Sequence, residues 1–210
     1  MPEMIEVEMY RRLAEQVVGR TVRRVDAPDA WFLKRGLEAP ELTATLLGRT
    51  VVAARRRGKL LLLDTDGATL GLRFGMTGRL LVDGGMVVEK LVYGSTREET
   101  AWDRFALGFD GGGELRLRDP RRLGGVELDP DEDRLGIDAA SLTRAELAAL
   151  LGSAAPLKAR LMDQARLAGL GNLLTDEALG RAGLDPARPA SSLEPAEVRR
   201  LHRHIAATLE

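Results

Sequence analysis

Arg55-Arg56-Arg57-Gly58-Lys59-Leu60-Leu61-Leu62-Leu63-Asp64 is the stretch that decides the fold. A basic run is broken by a glycine and ends at Lys59, and four leucines follow at once. Thr50–Arg57 and Lys59–Asp64 therefore read as two strands with Gly58 between them. The same texture continues outward in both directions. Thr21–Val25, Thr69–Phe74, Arg79–Val82, Arg104–Phe109 and Glu114–Arg118 are short runs of β-branched or alternating residues, punctuated by Asp66-Gly67, Asp83-Gly84-Gly85 and Gly111-Gly112-Gly113. This spacing predicts an antiparallel sandwich or barrel. Leu115 and Leu117 alternate with Glu114, Arg116 and Arg118, which predicts a last strand with one buried and one cationic face.

Both flanks read as helix. At the start, Met4, Val7, Tyr10, Leu13 or Ala14, and Val17 recur at helical spacing, and Gly19 supplies a stop. After Pro130 the strand signals end. Thr143-x-x-Glu146 is a capping box opening Arg144–Leu151, and helical patterns follow in Pro156–Ala168, Leu173–Ala182 and Pro195–Leu209. The acidic stretch Leu128-Asp129-Pro130-Asp131-Glu132-Asp133 marks a boundary. The expectation is an α+β chain: residues 1–130 an antiparallel β-sandwich with an amino-terminal helix, and residues 131–210 an all-helical domain.

Composition narrows the chemistry. The 210 residues are 44% hydrophobic and 30% charged, enough for a substantial core and incompatible with a disordered chain. No cysteine is present, which removes disulfides, thiolate metal sites and cysteine nucleophiles. No apolar run approaches the ~20 residues that span a bilayer, and the first residues lack the basic flank of a secretory signal. A soluble cytoplasmic protein without membrane contact is expected. A net charge of −1 gives no global pull on nucleic acid, so an anionic ligand must be met by local basic groups. Arg55-Arg56-Arg57-Gly58-Lys59 and the set Arg116, Arg118, Arg121 and Arg122 are such groups, although solvated strand edges carry similar runs.

Three constellations carry possible chemistry. The first is the amino terminus. With Met1 removed, as a small penultimate side chain allows, Pro2 offers a secondary amine. An α-amino group has a reference pKa of ~7.7–8.0, so part of it is neutral at physiological pH. Attack on a sugar carbon at the aldehyde oxidation level gives an iminium that acts as an electron sink, while Glu3 or Glu6 moves protons. The ordinary alternative is a proline at the first helical position with acids in the first turn. The second constellation is Ala168-Gly169-Leu170-Gly171-Asn172, between two helical patterns and downstream of Lys158. Outward backbone N–H groups and a helix capped by Asn172 would attract a phosphate, yet a glycine stop followed by an asparagine cap also joins helices with no ligand. The third is a wedge: Met76 in Phe74-Gly75-Met76-Thr77-Gly78, with Arg121 and Leu123 in Asp119-Pro120-Arg121-Arg122-Leu123-Gly124. Enzymes that extrude a nucleotide fill the gap with apolar or guanidinium side chains. Both peptides are turn-like, which favours exposure over core packing.

In this order the pieces resemble the formamidopyrimidine-DNA glycosylase and endonuclease VIII family of base-excision repair enzymes. The matches are Met1-Pro2-Glu3-x-x-Glu6-Val7-Glu8, Arg57-Gly58-Lys59, Gly75-Met76-Thr77-Gly78, Asp119 to Gly124, and Leu157-Lys158-x-x-Leu161-Met162-Asp163-Gln164 leading into Ala168 to Asn172. The resemblance implies that Pro2 is the nucleophile, Glu3 the acid/base group and Glu6 a second active-site carboxylate, while Lys59 reaches the lesion-side phosphates. Met76, Arg121 and Leu123 would fill the void left by the flipped nucleotide, and Arg73, Arg122, Lys158 and Asn172 would hold phosphates. It also implies a two-layer β-sandwich followed by a helix–two-turn–helix domain, with damaged or abasic double-stranded DNA bound between them. The expected protein is a monomeric, nucleoid-associated bifunctional DNA glycosylase and abasic-site lyase. Oxidised purines such as 8-oxoguanine and formamidopyrimidines are the expected lesions, with oxidised pyrimidines or non-catalytic binding as rivals.

The chain departs from the family pattern at several points. Met4-Ile5 replaces a small residue or leucine followed by proline, Arg73 stands for a usual histidine, and Leu123 for a usual phenylalanine. The family's four-cysteine zinc hairpin has no ligands in a chain without cysteine that ends at Glu210 within a helical pattern, so no metal or other cofactor is expected. His202 and His204 diverge by about 200° around a helix and read as surface or interhelical residues rather than co-ligands.

Overall fold

The computed structural model describes residues 2–88, 97 and 99–210. Its chain divides into two compact units, Met1–Pro130 and Asp131–Glu210.

The first unit opens with α1 (Met4–Ala14), whose Met4, Val7, Tyr10, Leu13 and Ala14 form the buried stripe that the spacing predicts. Glu3 is the cap and Glu6 completes a capping box. Pro2 therefore precedes the cap and is not the first helical residue, which corrects the helix-start reading of that proline. A 3-10 turn, Glu15–Val17, extends the helix toward Gly19, whose φ of 85° turns the chain.

Next come β1 (Val22–Asp26), α2 (Ala39–Leu46), β2 (Val51–Arg57), β3 (Leu60–Thr65), β4 (Thr69–Arg73), β5 (Arg79–Val82), β6 (Asp103–Phe109), β7 (Glu114–Arg118) and β8 (Gly125–Leu128). Each strand expected from the sequence is present to within one residue, while α2 and β8 were not anticipated. Two antiparallel four-stranded sheets result, ordered β1-β6-β7-β5 and β2-β3-β4-β8. Their inner faces share one core: Phe105, Leu107, Leu115 and Leu117 from the first sheet meet Leu61, Leu63, Leu70, Leu72 and Val126 from the second, with Val7 and Tyr10 of α1. Full burial of each such side chain is worth about 1.5–3 kcal/mol. The cationic face expected on β7 is neutralised. Arg118 is buried with its Nε 2.6 Å from Asp103, and Arg116 pairs with Asp103 and Glu114.

The second unit carries β9 (Ile137–Asp138), α3 (Arg144–Leu150), α4 (Leu157–Met162), β10 (Leu167–Ala168), α5 (Asn172–Ala182) and α6 (Pro195–Leu209). It is predominantly helical, but β9 and β10 make a two-residue parallel pairing that a wholly helical reading lacks. The helix expected over residues 156–168 ends at Met162, because Asp163 is extended and its carboxylate accepts the Ala165 N–H instead. Thr143 and Glu146 form the expected capping box, and Gly183, left-handed at φ 62°, ends α5. His202 lies 2.8 Å from the Leu142 carbonyl oxygen, a structural contact. Among the described residues no helix is long and apolar enough to cross a membrane.

Candidate active site and nucleic-acid interface

Pro2 is buried and Glu3 is only 2% exposed at the start of α1. The Glu3 N–H donates to Glu6 Oε2 at 2.8 Å, so one carboxylate fixes the backbone beside the other. Two contacts hold the helix that carries them: the Tyr10 hydroxyl donates to the Gly78 carbonyl at 3.2 Å, and Arg56 Nε lies 3.3 Å from Glu8 Oε2. Lys59 arrives from the β2–β3 turn, which Gly58 closes at φ 57°. Burial pushes the Lys59 ammonium below the ordinary lysine range, and the charges of Glu3 and Glu6 oppose that fall. A cation and two carboxylates thus share one field beside Pro2. Met1, whose removal the amine chemistry requires, lies outside the described residues.

The residues expected to form a wedge sit on two loops that are locked together. The fully buried Asp119 carboxylate accepts the Thr77 hydroxyl at 2.5 Å, the Arg121 N–H at 3.1 Å and the Gly124 N–H at 2.8 Å. The backbones also touch: a Cβ on Gly75, at φ 55°, would lie 2.4 Å from the Leu123 carbonyl carbon. This approach brings the loop bearing the partly buried Met76 against the loop bearing exposed Arg121 and Leu123, the latter 51% exposed. The exposure expected of the turn peptides holds for Arg121 and Leu123 and only partly for Met76.

The cations expected to hold phosphates have carboxylate partners. Arg122, at φ 57°, makes two hydrogen bonds of 2.6 Å to Asp29, and that guanidinium holds the Asp29 carboxyl below the usual range. Arg73 lies 2.6 Å from Glu127, which also receives Arg35 at 2.6 Å. In the helical unit, Lys158 on α4 pairs with Asp176 on α5 at 2.7 Å. Asn172 is exposed and is the first residue of α5, while Gly171 is the cap, so the expected side-chain cap is absent. The turn before α5 is held by the Gln164 side-chain amide, which donates to the Met162 and Leu170 carbonyls and accepts the Gly169 N–H.

Sequence reasoning quoted Asp119 without giving it a role, and it missed Tyr10 as an anchor and Arg35 and Glu127 altogether. An acid ahead of a proline turn signals the first; the rest depend on contacts 68 and 92 residues apart. Among the described residues no group of three His, Asp or Glu could hold a metal, and a four-cysteine zinc site has no ligands in this sequence.

Residues 1–126 match the formamidopyrimidine-DNA glycosylase N-terminal domain and residues 129–210 match its H2TH domain. A formamidopyrimidine-DNA glycosylase of Paracoccus denitrificans is 38% identical over 228 aligned residues, covering 100% of this chain and 77% of that protein. The crystal structure of the MutM (Fpg) protein from Thermus thermophilus superposes with a TM-score of 0.80 at 36% identity, covering 99% of this chain and 74% of the other. The Lactococcus lactis Fpg solved with abasic-site DNA superposes with a TM-score of 0.83 at 26% identity, covering 99% and 77%. The chain belongs to the formamidopyrimidine-DNA glycosylase family of DNA repair enzymes.

Proposed function

We propose that the chain excises oxidised bases from double-stranded DNA and cleaves the resulting abasic site, using the amine of Pro2 once Met1 has been removed. The observation that carries this reading is the placement of Pro2: buried, ahead of the helix cap and next to the buried Glu3, it contributes nothing to the helix as an N-terminal proline. The Pro2 nitrogen attacks C1′ of the extruded nucleotide, the bond from C1′ to the base breaks, and the base leaves with a proton. Glu3 assists proton transfer as the sugar ring opens to an iminium. That electron sink then permits elimination of the 3′ and afterwards the 5′ phosphate. Glu6 holds the Glu3 backbone, and Lys59 meets the phosphates on the lesion side.

Met76, Arg121 and Leu123 occupy the gap in the duplex, supported by the Asp119 lock between their loops. Arg73, Arg122, Lys158 and Asn172 contact backbone phosphates, exchanging or sharing their carboxylate partners. The first unit carries the chemistry and the second, helix–two-turn–helix unit contributes DNA contacts. Excision assayed on duplexes with 8-oxoguanine, formamidopyrimidine or oxidised pyrimidine tests the reading. Release of oxidised purines with strand cleavage is expected. Preferential release of oxidised pyrimidines would overturn the lesion assignment.

A further inference from the structure

On the outer face of the β4–β8 pair, two glycines make room for a charged cluster. The register sets Gly71 opposite Glu127 and Arg73 opposite Gly125. A Cβ on Gly71 would lie 3.1 Å from Glu127 Cγ, and one on Gly125 would lie 2.3 Å from Lys34 Cε. In the space so left, Glu127 is 2% exposed yet carries a carboxylate that accepts two guanidiniums. Arg35 Nε reaches Oε2 at 2.6 Å, and Arg73 Nε reaches Oε1 at 2.7 Å. Both arginines remain about two-fifths exposed, at 44% and 39% of their side chains. Neither guanidinium has another hydrogen-bonding or ionic partner among the described residues. Arg35 is held at φ 59°, a backbone conformation that favours glycine or asparagine.

We infer that Arg35 and Arg73, splayed on the two oxygens of Glu127, form a clamp for one phosphodiester, with Arg35 a phosphate contact and Glu127 the positioning residue. This deepens the nucleic-acid reading above and rests on it. Within the Arg35–Glu127–Arg73 triad one buried negative charge against two guanidiniums leaves one positive charge over, which one phosphodiester neutralises, while the Lys34 ammonium that lies over Gly125 is engaged on the Trp31 carbonyl. The carboxylate takes up Nε of Arg35, and Nε together with one terminal nitrogen of Arg73, so both terminal nitrogens of Arg35 and one of Arg73 remain as a fixed fork. Holding those long side chains in place beforehand removes an ordering cost at the moment of binding.

The test is binding of the full chain to a duplex containing a tetrahydrofuran abasic analogue, measured over a salt series. Arg35→Gln cancels the surplus charge, so the slope of log K against log salt should fall by about 0.9, with affinity lower by about tenfold. Arg35→Lys keeps the charge without the fork and should retain the slope with part of the loss. Arg23→Ala, on an exposed part of β1, controls for charge removal at large and should change neither quantity. Glu127→Gln discriminates by sign. Counting charge alone predicts tighter binding, whereas a positioning role predicts weaker binding despite the added positive charge. Should that variant fail to fold by circular dichroism, Arg35→Gln decides. An unchanged slope in Arg35→Gln, or equal or tighter binding by folded Glu127→Gln, overturns the clamp alone. Absence of salt-dependent duplex binding in the unaltered chain would overturn the nucleic-acid reading and the clamp with it.

Discussion

Thr77 donates its hydroxyl hydrogen bond to Asp119 Oδ1 at 2.5 Å, joining two loops that lie 42 residues apart in the chain. Because the same carboxylate receives the Gly124 N–H through its other oxygen, the loops carrying Met76 and Leu123 move as one piece. Asp119→Asn presents an amide N–H₂ to a donor on one side or the other and leaves a buried group unsatisfied, at a cost of about 1–3 kcal/mol. Thermal unfolding should register that loss, and base excision should fall with it. Thr77→Val removes one donor and keeps both backbone bonds, so its effect should be the smaller. Equal excision by Asp119→Asn and the unaltered chain would show that the wedge loops need no such lock.

Gly75→Ala probes the same assembly through the backbone. Its Cβ would collide with the Leu123 carbonyl carbon, and neither side of that contact is a flexible side chain. The loops must separate, so excision should drop by more than tenfold, beyond the roughly 1 kcal/mol that a positive φ costs alanine. Gly84→Ala has the same conformational penalty at φ 78° but faces open space. It should lose stability alone.

The field around Lys59 predicts a pH effect. Burial depresses its pKa below 10.5, so the protonated form is carried at a cost near neutrality. Between the folded pKa and 10.5 the unfolded chain binds more protons, and this group's contribution to stability therefore rises with pH across that window. Glu6→Gln preserves an acceptor for the Glu3 N–H while deleting one charge that sustains the ammonium. The alkaline limit of binding to abasic-analogue DNA should move to lower pH in this variant. An unmoved limit would remove Lys59 from the binding surface.

Periodicity made much of the fold legible. The stripe of α1 and the alternation or leucine density of β1 to β7 each follow from local spacing, because one face of every such element must enter the core. β8 escaped because its four residues include a glycine and a buried glutamate in place of an apolar alternation, and α2 because its eight residues bury only Leu42 and Leu46. The helix expected over residues 156–168 runs too long because Leu157, Leu161, Ala165 and Ala168 keep helical spacing across a turn that Asp163 and Gln164 build with their side chains. At the candidate site, the order of short motifs brought out Pro2, Glu3, Lys59 and the wedge loops. Arg35, Glu127 and Tyr10 stayed hidden because their meaning lies in partners far along the chain.

Borohydride reduction in the presence of abasic-site DNA, followed by intact-mass measurement and peptide mapping, tests the central claim most directly. An amide nitrogen at Pro2 has its lone pair delocalised into the preceding carbonyl, so the nucleophile exists only in protein that has lost Met1. The account predicts one trapped adduct, on Pro2, in the processed chain and none in chain that retains Met1. An adduct on Lys59, or equally efficient trapping with Met1 in place, would contradict it.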